Sequence, residues 1–315
     1  MNKEEAIKKY SISIPENFEK YNKEEYSQFD NMYLESFYST FYEPDSKRVE
    51  KNYGGNKVAI VLGGQAGAGK SSLVADAKRK FKDTGRRIVV IDDDGYRKFY
   101  PYAKEILENC PEHYTEITAT ATNIITPKIM KFASDNGYNF IFEGTMKNTR
   151  IVETMKTWKD YDIYVHVMAA SEERSLMSTA IRNGELRETI NEGRLVSKQV
   201  HKDMYDGLPK TLEYIEQKES GLVKEIKIFT RSNNPLYPKE EYSSLNQEGK
   251  FSRQKLEELR KIDRINYLKN GVMDDIEYLK GLIINLSQKE KEEAEDIIKY
   301  IQEKIKKQAN MYCER

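Results

Sequence analysis

The chain has 315 residues, 38% apolar and 33% charged, and its 52 Lys plus Arg balance 52 Asp plus Glu. Zero net charge lends no support to a nucleic-acid or anionic-membrane partner, and no apolar run reaches the roughly 18 residues a bilayer span needs. The two cysteines, Cys110 and Cys313, lack metal-ligand spacing and fit a reduced, cytoplasmic setting, and the N-terminus has no signal-peptide core.

Residues 1–22 are polar and predict a loose or loosely helical start. From Lys23 to Tyr42, the aromatic residues Tyr26, Phe29, Tyr33, Phe37 and Phe41 recur at spacings of three and four. They share one helical face, expected to pack on the main body; ligand stacking is the alternative. Pro44, Asp45, Gly54 and Gly55 then break the chain.

Lys57 to Leu73 reads as a buried strand, a glycine-rich turn and a helix start. Inside it lies G-x-x-x-x-G-K-S, with Gly64, Gly69, Lys70 and Ser71 at the fixed positions. Glycines let successive backbone N–H groups converge on phosphate oxygens, and the helix start adds unpaired N–H groups and a positive dipole end. Gly64, Gln65, Ala66, Gly67, Ala68, Gly69, Lys70, Ser71 and Ser72 are therefore the expected nucleotide-binding residues. Lys70 supplies a point charge to the terminal phosphates, and Ser71 offers a hydroxyl to magnesium. The alternative is an ordinary Gly-rich strand-to-helix turn.

The helix is expected to run to about Lys82 and stop at Asp83-Thr84-Gly85. Arg87 to Asp94, RIVVIDDD, is an apolar run closing in three acids. Strand, helix, strand with this crossover implies a parallel pair, whose ligands sit beyond the strands' carboxyl ends. One acid near magnesium and one near an acceptor hydroxyl is the sharper reading; a simple turn is the plainer one. Thr118 to Ala133 looks helical, interrupted or restarted at Pro127. Tyr138 to Phe142 is a third strand, ending in Glu143, Gly144 and Thr145; a short helix over Asn148 to Trp158 follows. Ile163 to Ala169 is a fourth strand, with His166 read as a core histidine.

Ser171 to Tyr214 is read as helical and carries Arg174, Arg182, Arg187 and Arg194. Either these arginines clamp phosphate from a lid, or they pair with Glu185, Glu188 and Glu192 on a solvated face. Leu222 to Thr230 is a fifth strand, and Pro235 and Pro238 end the domain. Beyond Phe251 three helical stripes follow. They are Leu256, Leu259, Ile262, Ile265 and Leu268; Ile276, Leu279, Ile283 and Leu286; and Ala294, Ile298, Ile301 and Ile305. Gly271 and Ser287 mark the breaks, and a unit of this size is expected to lean on the main domain.

The ordered segments G-Q-A-G-A-G-K-S (64–71), I-D-D-D-G-Y-R (91–97), F-E-G-T (142–145) and R-L-V-S-K-Q-V-H (194–201) resemble the zeta toxins, the kinase halves of bacterial toxin–antitoxin systems. The similarity spans roughly Val58 to Phe229. It implies an α/β fold, a P-loop kinase-like parallel sheet flanked by helices, with an added C-terminal helical region. The organisation implied is a helical extension over 1–50, a kinase domain over 51–240 and a three-helix appendage over 250–315.

The resemblance implies transfer of a phosphoryl group from ATP or GTP, with magnesium, to the 3′-hydroxyl of UDP-N-acetylglucosamine, blocking peptidoglycan precursor synthesis. By position, Lys70 and Ser71 hold phosphates and metal, Asp92 lies near the metal, and Asp94 takes the acceptor proton. Arg97, Glu143, Thr145 and Lys147 join Asp94 as substrate-binding residues, and Arg182 and Arg194 reach the transferred group. Two positions depart from the family pattern: Lys147 stands where arginine is usual, and Pro127 where an acid is counted back from Glu143. Another acceptor hydroxyl, or a nucleotide-binding regulatory module, are the alternative functions. A helical antitoxin in trans, or the C-terminal tail acting in cis, are the expected protein partners.

Overall fold

In the computed structural model, the described residues are 2–17, 20–51, 55–190, 196–232, 234, 236–245 and 251–313. They form α1 (Lys3–Tyr10), α2 (Ser27–Phe41), β1 (Lys57–Gly63), α3 (Lys70–Asp83), β2 (Val89–Asp92), α4 (Asp93–Tyr96) and α5 (Ala103–Asn109). Then come α6 (Tyr114–Asp135), β3 (Phe140–Glu143), α7 (Arg150–Met155), β4 (Tyr161–Met168), α8 (Glu172–Ile190), α9 (Lys198–Lys218), β5 (Glu225–Thr230) and β6 (Lys239–Ser243). Three helices close the chain: α10 (Ser252–Asn270), α11 (Val272–Leu282) and α12 (Gln288–Cys313). None of the described helices is long and apolar enough to cross a membrane.

The strands make one sheet in the order β2-β3-β1-β4-β5-β6. β2 and β3 pair in parallel, bringing Asp92 opposite Glu143. β4 and β5 also pair in parallel, and β6 runs antiparallel to β5. The sixth strand was not expected from the sequence. Its KEEYS reading is charged and only its last two residues are buried, which suits an edge strand that must discourage further pairing.

The chain divides into two compact units. The first holds Met1–Val61, Ala77–Gly144 and Trp158–Asp162. Here the aromatic face of α2 packs as expected: Phe41 lies 5.0 Å from Phe132 and 4.9 Å from Tyr138, and Phe37 lies 4.8 Å from Phe132. The start of the chain is more ordered than its composition suggested. An Asn2–Glu5 capping box opens α1, Tyr10 is buried, and the Tyr100 hydroxyl donates to the Tyr10 carbonyl at 2.8 Å. Nor does Pro127 interrupt α6. Its ring lies on the exposed face, while Ile125, Thr126, Ile129 and Met130 around it are buried. Their burial offsets the roughly 3 kcal/mol a mid-helix proline costs.

The second unit holds Leu62–Asp76, Thr145–Thr157 and Ile163–Arg315. Leu176, Met177 and Ala180 of α8 share an apolar core with Tyr267 of α10, Ile276 of α11 and Ile298 of α12. Gly184 lets α8 approach α11: a Cβ there would sit 2.7 Å from the Leu282 Cβ. The second and third expected stripes are largely inside, and Gly271 and Ser287 fall between the helices. The first stripe is only partly right. Leu256, Leu259 and Leu268 are buried, but Ile262 is 47% exposed and Arg260 is buried instead. Ser171 to Tyr214, read as one helical stretch, holds two helices, α8 and α9.

Truncating Phe41→Ala should cost about 3–5 kcal/mol of unfolding free energy, whereas Ile262→Ala should stay within about 0.5 kcal/mol of the parent. Urea titrations of both variants check the pair.

Candidate active site

β1 delivers an apolar strand whose last six residues are buried, and the phosphate loop turns directly off its end into α3. The turn is tightened by the Ala68 N–H donating to the Gln65 carbonyl at 3.1 Å and the Ser72 N–H to Gly69 at 3.2 Å. Gly67 has two reasons to be glycine. Its φ is +71°, and a Cβ would fall 2.0 Å from the Ser175 carbonyl oxygen. The Lys70 ammonium folds back over the loop, donating to the Gly64 carbonyl at 3.1 Å. Ser71 is exposed at the start of α3, and Ser72 Oγ donates to the Gly69 carbonyl at 2.8 Å.

Gln65 contributes its backbone to the loop while its side chain turns inward and is fully buried. Its Nε2 donates to the Ala170 carbonyl at 2.9 Å and to Ser175 Oγ at 3.0 Å, and its Oε1 accepts from Arg260 at 3.0 Å. Ser175 Oγ lies 3.0 Å from His201 Nε2. A further cation braces the loop from the end of β5. Arg231 Nε donates to the Ala68 carbonyl at 3.0 Å, and its other nitrogens reach the Gly67 carbonyl and Ser178 Oγ. Arg231 thus holds the carbonyls of Gly67 and Ala68 on one side of the loop, as a backbone anion cradle requires.

No sequence motif gives Arg260 or Ser175 a role, and His201 stands only as the last residue of R-L-V-S-K-Q-V-H. Arg231 alone carried a signal, as a cation immediately following a parallel strand.

The acidic cluster is built differently from the expected strand tip. β2 stops at Asp92, and Asp93 and Asp94 lie in the first turn of α4. Backbone and side chain compete here for the same space: a Cβ on Gly95 would lie 2.5 Å from Asp92 Oδ2. Arg97 is buried beneath the turn. Its Nε donates to Asp94 Oδ1 at 3.0 Å and another nitrogen to Asp93 Oδ2 at 3.3 Å, while a third reaches the Thr115 carbonyl and Thr118 Oγ1 at 2.9 and 2.7 Å. Thr126 Oγ1 donates to the other Asp93 oxygen at 2.8 Å. Asp94 is thereby oriented by a buried cation yet leaves 64% of its side chain exposed. Asp92 and Glu143 stand side by side on the ends of β2 and β3.

Among the other expected site residues, Thr145 is half-buried, and its carbonyl accepts from the Gly64 N–H at 3.4 Å. Lys147 is exposed, and its carbonyl sits against Gly207, where a Cβ would come within 2.0 Å of it. Arg182 is exposed on α8, and Arg194 lies outside the described residues. Of the two other arginines of that stretch, Arg174 pairs with Asp263 at 2.7 Å and Arg187 with Glu290 at 3.0 Å. His166 is half-buried in β4 with its ring 5.3 Å from Phe229.

Burial pushes the His201 pKa from its ordinary 6.5 down to about 4, so the ring is neutral where it braces the loop. The unfolded chain binds this proton below about pH 6.5 and the folded protein only below about 4, so stability is lost as pH falls between them. About 1 kcal/mol should go between pH 6.5 and 5.5 on this account, and His201→Gln should flatten that segment of the profile. Urea unfolding of both proteins at the two pH values measures the difference.

Comparison with known proteins follows the same outline. The zeta toxin family profile matches residues 44–242, well over half of the chain. Toxin zeta of Enterococcus hirae is 28% identical over 227 residues, covering 69% of this chain and 78% of that protein. Toxin PezT of Streptococcus pneumoniae serotype 4 is 27% identical over 189 residues, 58% of this chain and 72% of that one. A solved structure from the PezAT chromosomal toxin-antitoxin system of Streptococcus pneumoniae superimposes with a TM-score of 0.64 at 22% identity, covering 84% of this chain and 98% of that one. The likeness in structure confirms the fold, and the family match settles the lineage: the chain belongs to the zeta toxin family of kinases.

Proposed function

We propose that this chain transfers the γ-phosphoryl group of ATP or GTP to the 3′-hydroxyl of UDP-N-acetylglucosamine in the cytoplasm, and so blocks peptidoglycan precursor synthesis. One observation carries the reading: a single family match spans both the phosphate loop and the acidic turn. Phosphoryl transfer asks for positioning and charge neutralisation more than for covalent chemistry, and those are what the two segments offer.

In this reading the backbone from Gly64 to Ser72 cradles the terminal phosphates, and Lys70 sets a positive charge against them. Asp94, held by Arg97 at 3.0 Å, takes the proton of the acceptor hydroxyl. Arg97 acts on substrate through that carboxylate. Glu143, Thr145 and Lys147 hold the amino-sugar, Lys147 as a point charge where the family's arginine would offer a two-pronged fork. Arg182 and Arg194 close on the transferred group and stabilise charge on its equatorial oxygens.

The donor set fits magnesium. In this reading the Ser71 hydroxyl and the Asp92 carboxylate would be its two hard oxygen ligands from the protein. That suits an ion sharing its coordination with substrate phosphates and water, where it would neutralise polyphosphate charge. A helical antitoxin in trans is the protein partner that belongs to this reading. The PezAT structure comes from a toxin-antitoxin system.

A second reading keeps the chemistry and changes the acceptor to another nucleotide sugar, a nucleoside or an antibiotic hydroxyl. Lys147 and Pro127, the two departures from the family pattern, favour it.

Purified protein with magnesium-ATP should phosphorylate UDP-N-acetylglucosamine, detected as a mass shift of the sugar. Asp94→Asn should slow this at least about 100-fold while leaving ATP affinity within about threefold. A wild-type rate in Asp94→Asn would sink the base assignment, and turnover of a different acceptor in the same assay would select the second reading.

A further inference from the structure

Four arginines lie on α8, on α10 and just after β5, and they fall into two kinds. Arg174 and Arg264 each pair with an acid, Asp263 at 2.7 Å and Glu173 at 2.6 Å. Arg231 and Arg260 do not: no carboxylate among the described residues forms an ion pair with either, and these are the two whose nitrogens touch the loop.

Arg260 is the more deeply placed, at 2% exposure. It donates to the Tyr205 carbonyl at 2.8 Å and to Gln65 Oε1 at 3.0 Å, and it stacks 3.8 Å over the Tyr205 ring. Its Nε has no hydrogen-bond partner. Asp206, Glu257 and Glu172 act on it only from beyond ion-pair distance. Burial lowers its pKa to about 10, which leaves it charged at neutral pH. Arg231 is half-buried and likewise shifted down by burial, with Asp263 and Asp275 acting on it only from beyond ion-pair distance, and it bonds neutral oxygens only.

A buried cation without a counter-ion is costly, and evolution usually supplies an acid or removes the charge. Here an acid has been supplied to each neighbouring arginine and withheld from these two. The loop they touch is itself built to receive an anion. We propose that Arg260, with Arg231, is a positioning residue that holds a standing positive charge behind the phosphate loop, and that its counter-ion is the polyphosphate of the bound donor.

The C-terminal helix α10 is then part of the nucleotide-binding machinery. Gln65 is the coupling element: both Nε2 hydrogens are engaged, so its carbonyl oxygen is fixed toward Arg260 and the cation holds the loop from behind. The inference rests on the kinase reading for the identity of the anion and for nothing else.

The test uses the full chain and calorimetric titration with inorganic tripolyphosphate, which has no base and needs no acceptor, alongside AMP, which lacks the terminal phosphates. Arg260→Gln should weaken tripolyphosphate by about tenfold or more and change AMP by less than about threefold. Arg260→Lys, which keeps the charge and loses the fork, should bind tripolyphosphate within about threefold of the parent. Wild-type tripolyphosphate affinity in Arg260→Gln overturns the inference, and so does an equal loss of both ligands, which would mean a collapsed loop. If Arg260→Gln does not fold, a tenfold loss in Arg260→Lys overturns it alone. Tripolyphosphate binding that depends on Arg260, in a protein that phosphorylates no acceptor, would uphold this inference while removing the kinase reading.

Discussion

The constraint behind the phosphate loop is the buried amide of Gln65. An amide with no access to water must satisfy its donors and its acceptor inside the protein. Gln65 does so with the Ala170 carbonyl, Ser175 Oγ and the Arg260 guanidinium. Those partners come from the end of β4, from α8 and from α10. The shape of a local glycine-rich turn is thus decided by three segments remote from it in sequence. Neutral His201 extends the brace through Ser175, and desolvation keeps it neutral.

The acidic turn in the other unit solves the opposite electrostatic problem. Three consecutive carboxylates repel one another, and Asp93 and Asp94 cannot both be oriented unless a cation lies under them. Arg97 is that cation, and the Thr115 carbonyl and Thr118 hydroxyl fix it in turn. Acids held by buried Arg97 in one unit, and carbonyls and an amide oxygen held by half-buried Arg231 and buried Arg260 in the other, follow from the same property. Guanidinium is planar, always charged and rich in directed donors, so it positions groups where a lysine would only attract them.

This explains which parts were legible in the sequence. β1, the loop and α3 were, because the glycine spacing and the apolar run are local signals. The aromatic face of α2 and the second and third C-terminal stripes were too, because burial follows helical periodicity. α10 defeated the same rule: hydropathy placed Ile262 inside, whereas the buried position belongs to Arg260. Periodicity scores apolar residues and has no means of recognising an arginine whose hydrogen-bond partners lie 55 and 195 residues away. The unbroken course of α6 through Pro127 was hidden for a related reason, since tertiary burial around the proline outweighs its local cost. β6 was missed because an edge strand that is mostly charged looks like a loop.

The family match ends at residue 242, ten residues short of α10 at Ser252. Yet Asp263 on α10 accepts from the Ser171 N–H at 2.8 Å, just ahead of α8, and Arg260 satisfies Gln65. A fragment cut at the match boundary would leave those buried groups without partners, at about 1–3 kcal/mol each. It would also bare Leu176, Met177 and Ala180 to water. Because marginal stability is only about 5–15 kcal/mol for a whole domain, losses of that size fall on the loop itself. In this chain the C-terminal helices complete the floor on which the phosphate loop is folded.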